Sequence, residues 1–160
     1  MPHLLILAPC EKVIIAQDEN TPTLIALLQD IGAEYQIVGK ADTSSESSQS
    51  LVIPMLWTIF TIWRADDSDK GKVFIQTIKV TTQTGKTIIE NPYEFSMEKA
   101  TQRIILRLQG FPIAGGSGTW MIQVFLNEKG QSVPSEPTGS YPIDVRLVER
   151  KLDEAASGNV

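Results

Sequence analysis

The chain has one cysteine, Cys10, and one histidine, His3, among its 160 residues. A lone cysteine excludes an intrachain disulfide framework and fits a reducing, cytoplasmic compartment. No His/Cys spacing of a zinc site can be built from these two residues. Cys10 has no second histidine elsewhere in the chain to activate it, so it reads as a small buried hydrophobe rather than a nucleophile. His3 reads as an edge or half-buried strand residue. Basic residues are also scarce, with 14 Lys and Arg against 19 Asp and Glu and a net charge of −5. A nucleic-acid binder carries a basic stripe, and no Lys/Arg run occurs here. The nearest approach, Arg103 and Arg107, reads as solvated or paired. Long apolar runs are missing too. The longest, residues 51–63, spans 13 residues, short of the roughly 20 that cross a bilayer as a helix. The run Leu4–Ala8, ahead of Pro9-Cys10, is too short for a secretion leader and has no basic residue before it. The expectation is a soluble cytoplasmic protein with no membrane or nucleic-acid partner.

What is present is strand material. Hydrophobic residues make up 42% and charged residues 21% of the chain, ordinary values for a globular domain. A chain of this length makes one domain. We place it at residues 1–150, with a Ser-rich mobile loop at 41–50 too polar to pack and a flexible tail at 151–160. Leu4–Ala8 and Val13–Ala16 are short apolar runs. Lys72–Thr82 is rich in Val, Ile, Phe and Thr and breaks at Gln83-Thr84-Gly85-Lys86, a hairpin turn. Thr87–Glu90 resumes the strand and Asn91-Pro92 ends it. In Thr101–Gln109, Ile104, Leu106 and Leu108 alternate with Arg103, Arg107 and Gln109, with Ile105 as the exception. Trp120, Ile122, Val124 and Leu126 point inward from the next strand, which Asn127-Glu128-Lys129-Gly130 closes. Ile143, Val145 and Leu147 form the inward face of the last. This spacing predicts an all-β, antiparallel two-sheet β-sandwich, immunoglobulin-like or jelly-roll-like, of about eight strands.

Met55–Arg64 is the most informative of these segments. Successive strand side chains point to opposite faces. Trp57, Ile59, Thr61 and Trp63 therefore share one face, and Leu56, Thr58, Phe60 and Ile62 the other. Neither face is polar, so both are expected to be covered: one by the domain's own core, the other by a loop, a second sheet or another copy. Leu56, Trp57, Phe60, Ile62 and Trp63 are the interface candidates, because a large exposed apolar patch marks an interaction surface.

One segment conflicts with the all-β pattern. Thr21-Pro22, then Leu24, Leu27, Leu28 and Ile31, then Gly32, carries the capping, spacing and terminal glycine of a short helix over 22–31. Read as a strand, it places Ile25, Leu27 and Ile31 on one face and Leu24 and Leu28 on the other, and periodicity does not decide so short a run.

Chemistry-bearing patterns are weak. Gly85-Lys86-Thr87 lacks the leading glycine and following helix of a phosphate-binding loop. Gly115-Gly116-Ser117-Gly118 likewise has no helix after it. Asp66, Asp67 and Asp69 cluster in one turn and offer oxygens that calcium favours, although Lys70 and Lys72 follow directly and Asp suits turns for local reasons. Trp57, Trp63, Tyr35, Tyr93 and Tyr141 could stack on sugars, against the greater pull of the core. Glu11, Asp30, Glu90 and Glu94 are carboxylates available to a hydrolase, which needs two of them facing one cleft.

Several pieces together carry a resemblance: Cys10-Glu11-Lys12-Val13, Thr23–Ile31, Leu56–Trp63, Gly71-Lys72-Val73-Phe74, Thr84-Gly85-Lys86, Gly110-Phe111-Pro112-Ile113 and Gly118-Thr119-Trp120. Over about residues 3–150 the chain resembles a family of uncharacterised bacterial β-sandwich domains, a domain of unknown function. The resemblance implies that Thr23–Ile31 is a strand rather than a helix, and it implies no activity; no cofactor is expected. The expected function is thus a non-catalytic sandwich acting through a surface, by self-association as a dimer or by binding another protein. A calcium- or carbohydrate-binding module is the alternative, followed by a carboxylate-dependent hydrolase.

Overall fold

A computed structural model describes residues 1–16, 21–35, 52–112 and 116–149. The Ser-rich stretch 41–50 and the tail 151–160 lie outside the described residues. The architecture is all-β, with two sheets and a lone 3-10 turn at Asp67–Asp69. The strands are β1 (His3–Ile15), β2 (Pro22–Leu27), β3 (Asp30–Tyr35), β4 (Val52–Arg64), β5 (Val73–Thr81), β6 (Thr87–Ser96), β7 (Thr101–Pro112), β8 (Gly118–Glu128) and β9 (Gly139–Glu149). One sheet has the order β2-β1-β4-β7 and the other β3-β9-β8-β5-β6. All pairs are antiparallel except β3 with β9, which is parallel and departs from the wholly antiparallel expectation.

Among the described residues, 22–31 holds no helix. The segment is β2, a break at Leu28-Gln29, and the start of β3. The break explains the misleading spacing. The Leu28 N–H donates to the Pro9 carbonyl at 2.9 Å, while the Gln29 carbonyl accepts from the Asp144 N–H at 2.9 Å. Adjacent residues are thus tied to opposite sheets, and Leu28 and Ile31 enter the core at the crossing. Leu27, on the apolar stripe of the expected helix, is exposed. β1 also corrects a break: it runs on through Pro9, pairing with β4 up to Cys10 and with β2 from Cys10 onward. β6 likewise continues through Asn91-Pro92 to Ser96. It is an edge strand, where a residue lacking an N–H is tolerated.

The core lies between the sheets. From the four-stranded sheet come Trp57, Ile59 and Trp63 of β4, Ile104 and Phe111 of β7 and the half-buried Leu4 and Leu7 of β1; from the other come Phe74, Ile78, Val80, Trp120, Ile122, Val124, Leu126, Ile143 and Val145. The inward alternation expected for Trp120–Leu126 and for Ile143, Val145 and Leu147 is observed. Phe111 ties the layers, edge-on to Trp57 at 5.5 Å and stacked on Trp120 at 5.2 Å. The Trp57 indole N–H donates to the Gly110 carbonyl at 3.0 Å. Gly110 has φ +78°, and a Cβ there would meet the Val52 side chain at 2.5 Å, so this bend in β7 admits only glycine.

One polar group crosses the core. Gln76 of β5 is fully buried, and its Oε1 accepts from the Thr61 hydroxyl and from the Trp63 indole N–H, both at 2.7 Å. An oxygen that satisfies two buried donors on the facing sheet fixes how the sheets register on each other. Among the described residues the Gln76 Nε2 has no partner.

Candidate functional site

β4 resolves the ambiguity of its two apolar faces. The Trp57/Trp63 face is the core face, so two of the interface candidates are interior residues. The opposite face is the outside of the four-stranded sheet, and it is unevenly covered. Phe60 is 0% exposed and Thr58 is buried, whereas Ile62 is half-buried and Leu56 is 73% exposed.

Strand register places the neighbours. Phe60 pairs with Ala8 on one side and Ile105 on the other, Ile62 with Ile6 and Arg103, and Thr58 with Cys10 and Arg107. Cys10 in turn pairs with Leu27, and Lys12 with Ile25. Directly paired residues share a face. The outer surface therefore carries Ile6, Ile14, Ile25, Leu27, Leu56 and Ile105 as its apolar part. Its charges are Lys12, Arg64, Arg103 and Arg107, with no carboxylate among the paired residues of these rows. An apolar, cationic surface in a chain of net charge −5 is a segregation of charge, which the linear sequence conceals because β1 and β4 contribute one cation each, β7 two and β2 none.

A fork in the sheet deepens this surface. β1 leaves β4 after the Cys10–Thr58 pair and continues beside β2. Between the diverging strands lies a half-open notch of about 490 Å³, lined by Glu11, Lys12, Val13, Leu56, Trp57, Thr58, Ile105, Arg107 and Leu108. Neither Lys12 nor Arg107 makes an ion pair among the described residues. The lysines Lys70, Lys72, Lys79 and Lys129 each have a carboxylate partner at 2.7–3.3 Å.

The other candidate residues are not brought into a common site. Asp66, Asp67 and Asp69 form the 3-10 turn after β4, each already engaged. Asp66 faces His3 Nε2 at 3.2 Å, Asp67 pairs with Lys70 at 2.7 Å, and the buried Asp69 holds the Met1 ammonium at 3.0 Å and accepts the Asp66 N–H at 3.1 Å. The Lys70 ammonium beside Asp67 lowers its pKa. Burial pushes the Asp69 carboxyl up, but the Met1 ammonium and the Asp66 N–H outweigh it and hold the group below its ordinary value. Among the described residues no cluster of three or more His, Cys, Asp or Glu could hold a metal ion. Cys10 is buried, and burial pushes its thiol up. His3 is exposed on β1. Glu90 and Glu94 lie on β6, paired with Lys79 and Lys129. Glu11 is in the four-stranded sheet and Asp30 in the five-stranded one. Of the aromatics, Trp57 and Trp63 are interior, Tyr141 is half-buried against the core and Tyr93 is exposed on β6; the Tyr35 side chain lies outside the described residues. Gly85-Lys86 belongs to the β5–β6 turn. Ser117 is tied to Leu147, its hydroxyl accepting the Leu147 N–H at 2.8 Å.

No protein-family model matches the chain, and a comparison with curated proteins gave no match. Among the described residues no helix is long and apolar enough to cross a membrane.

Proposed function

We propose that this is a non-catalytic β-sandwich that works in the bacterial cytoplasm through the outer face of its four-stranded sheet, docking another protein or a second copy of itself. The observation that carries this reading is the exposure of Leu56 at 73%, with Ile25 and Leu27 of β2 and Ile6 of β1 also exposed on the same sheet surface. Among the described residues, 12 large hydrophobic residues are exposed, and Ile6, Ile14, Ile25, Leu27 and Leu56 of these lie on this outer surface. Exposed apolar surface gathered on one face marks interaction sites. The scattered carboxylates, each on a different element or already paired with a lysine, support a binding role over hydrolysis. The engagement of Asp66, Asp67 and Asp69 by an imidazole, a lysine and an α-ammonium speaks against the calcium alternative.

A photo-crosslinking amino acid at position 56, compared with one at position 123 on the outer face of the other sheet, tests the reading in cells that make the full chain. Adducts from position 56 alone are expected, with their mass separating a second copy from another protein. Equal adducts from both positions, or adducts from position 123 alone, would overturn it.

A further inference from the structure

We infer that the occupant of this face is an extended segment of another protein carrying a carboxylate between aliphatic side chains, seated in the notch between Lys12 and Arg107. The inference rests on the proposed role of the outer face and goes beyond it by specifying the partner's chemistry. Lys12 lies on β1 and Arg107 on β7, the two strands flanking β4. Cys10 and Arg107 both stand in register with Thr58, which puts their backbones about 10 Å apart. Lys12 lies two residues further along β1, where that strand diverges from β4, so the two cations flank the notch at a wider spacing. A carboxylate entering over Leu56 and Thr58 can approach both cations. Desolvation in a half-enclosed apolar notch strengthens such an interaction, and Arg offers a planar fork to a carboxylate. Glu11 on the rim leaves the lining with a net positive charge and opposes a second carboxylate on its side, which gives the segment a direction.

The shape favours a peptide over a free acid. The outward-facing lining residues stand in strand rows, Leu56 and Thr58 on β4 and Ile105 and Arg107 on β7, two residues apart along each strand. That period matches the alternate side chains of an extended peptide. Among the described residues, no strand pairs with the β1 side of β4 ahead of Thr58. Charge also disfavours a second copy laid face to face. A two-fold pairing would set the cationic face carrying Lys12, Arg64 and Arg107 against the same face of the copy, and like charges across an interface suppress association.

Selection of a random heptapeptide phage library on the full chain tests this, with the selected peptides then titrated against wild type, Leu56→Asp and Lys12→Glu/Arg107→Glu. The expected peptides carry Asp or Glu flanked by Val, Ile or Leu. Their affinity falls about tenfold or more for each cation reversed and is lost in Leu56→Asp. Peptides that lack a carboxylate and bind the charge-reversed variant unchanged, yet are lost in Leu56→Asp, would overturn this inference and leave the outer face as the docking surface. Peptides insensitive to all the substitutions would overturn both. Circular dichroism melts of the variants, expected to coincide with wild type because the altered residues are exposed or half-exposed, separate lost binding from lost folding.

Discussion

Replacing Gln76 by Met, close to it in shape, probes the polar tie between the sheets. The substitution removes the acceptor of the Thr61 hydroxyl and the Trp63 indole, both on buried residues. Each donor left unsatisfied costs about 1–3 kcal/mol, so about 2–6 kcal/mol together. The same substitution eliminates the Gln76 Nε2, which is buried and unpartnered, relieving about 1–3 kcal/mol. The net expectation is a loss of about 1–3 kcal/mol. With a urea slope of about 2 kcal/mol/M for a small domain, the unfolding midpoint falls by about 0.5–1.5 M. The decisive assay repeats Gln76→Met in a Thr61→Val/Trp63→Phe background. There the two donors are gone, only the orphaned amide is removed, and the substitution becomes neutral or stabilising. Residues sharing one network couple in this way, whereas independent ones add. An equal loss in both backgrounds would refute the idea that the Gln76 oxygen serves Thr61 and Trp63.

Three further outcomes follow from local chemistry. Ala26 sits in β2 with φ +50°, a conformation that costs an L-residue about 1–2 kcal/mol and a β-branched one more; Ala26→Gly should leave the melting temperature level or raise it, and Ala26→Val should lower it. The folded Asp69 carboxyl titrates below its unfolded value, so its contribution is present in full above the unfolded pKa of about 4 and is lost as pH falls through the depressed folded value; in Asp69→Asn, stability measured from neutral to acid pH should fall less steeply than in wild type. Cys10 is fully buried and its thiol is pushed up by burial, so a thiol reagent at neutral pH should modify it only as fast as the protein opens, and rapid labelling of the native state would contradict its placement.

The strands with a polar face were legible in sequence. Ile143–Leu147 alternates cleanly because Asp144 and Arg146 meet water, and in Trp120–Leu126 the inward residues are those expected even though Met121 and Phe125 on the other face are apolar and Phe125 is buried. Thr101–Gln109 broke its own pattern at Ile105, and that exception belongs to the outer surface, where Ile105 lies beside Phe60. The residues 22–31 misled because helical spacing is a local property, while Leu28 and Gln29 are held by backbone bonds to Pro9 and Asp144, remote in the chain. β4 could not be oriented from its residues alone, since both faces are apolar; only register with β1 and β7 separates Trp57 from Leu56. The candidate notch was hidden for the same reason. Lys12, Leu56 and Arg107 are unremarkable singly and become a site when three strands align them. Gln76 gave no signal at all, because a glutamine within a β-branched run reads as an outward residue.

Adjacent residues of β4 decide which of its sides is open to a partner. Urea unfolding of Leu56→Asp and Trp57→Ala, measured side by side, is the most direct test. Leu56 is 73% and Trp57 1% exposed. Leu56→Asp should stay within about 0.5 kcal/mol of wild type, as exposed substitutions do. Trp57→Ala should lose about 3–5 kcal/mol by emptying a core site. If Leu56→Asp instead destabilises the fold as severely as Trp57→Ala, the outer face is already covered within the protein, and it is not available to dock a partner.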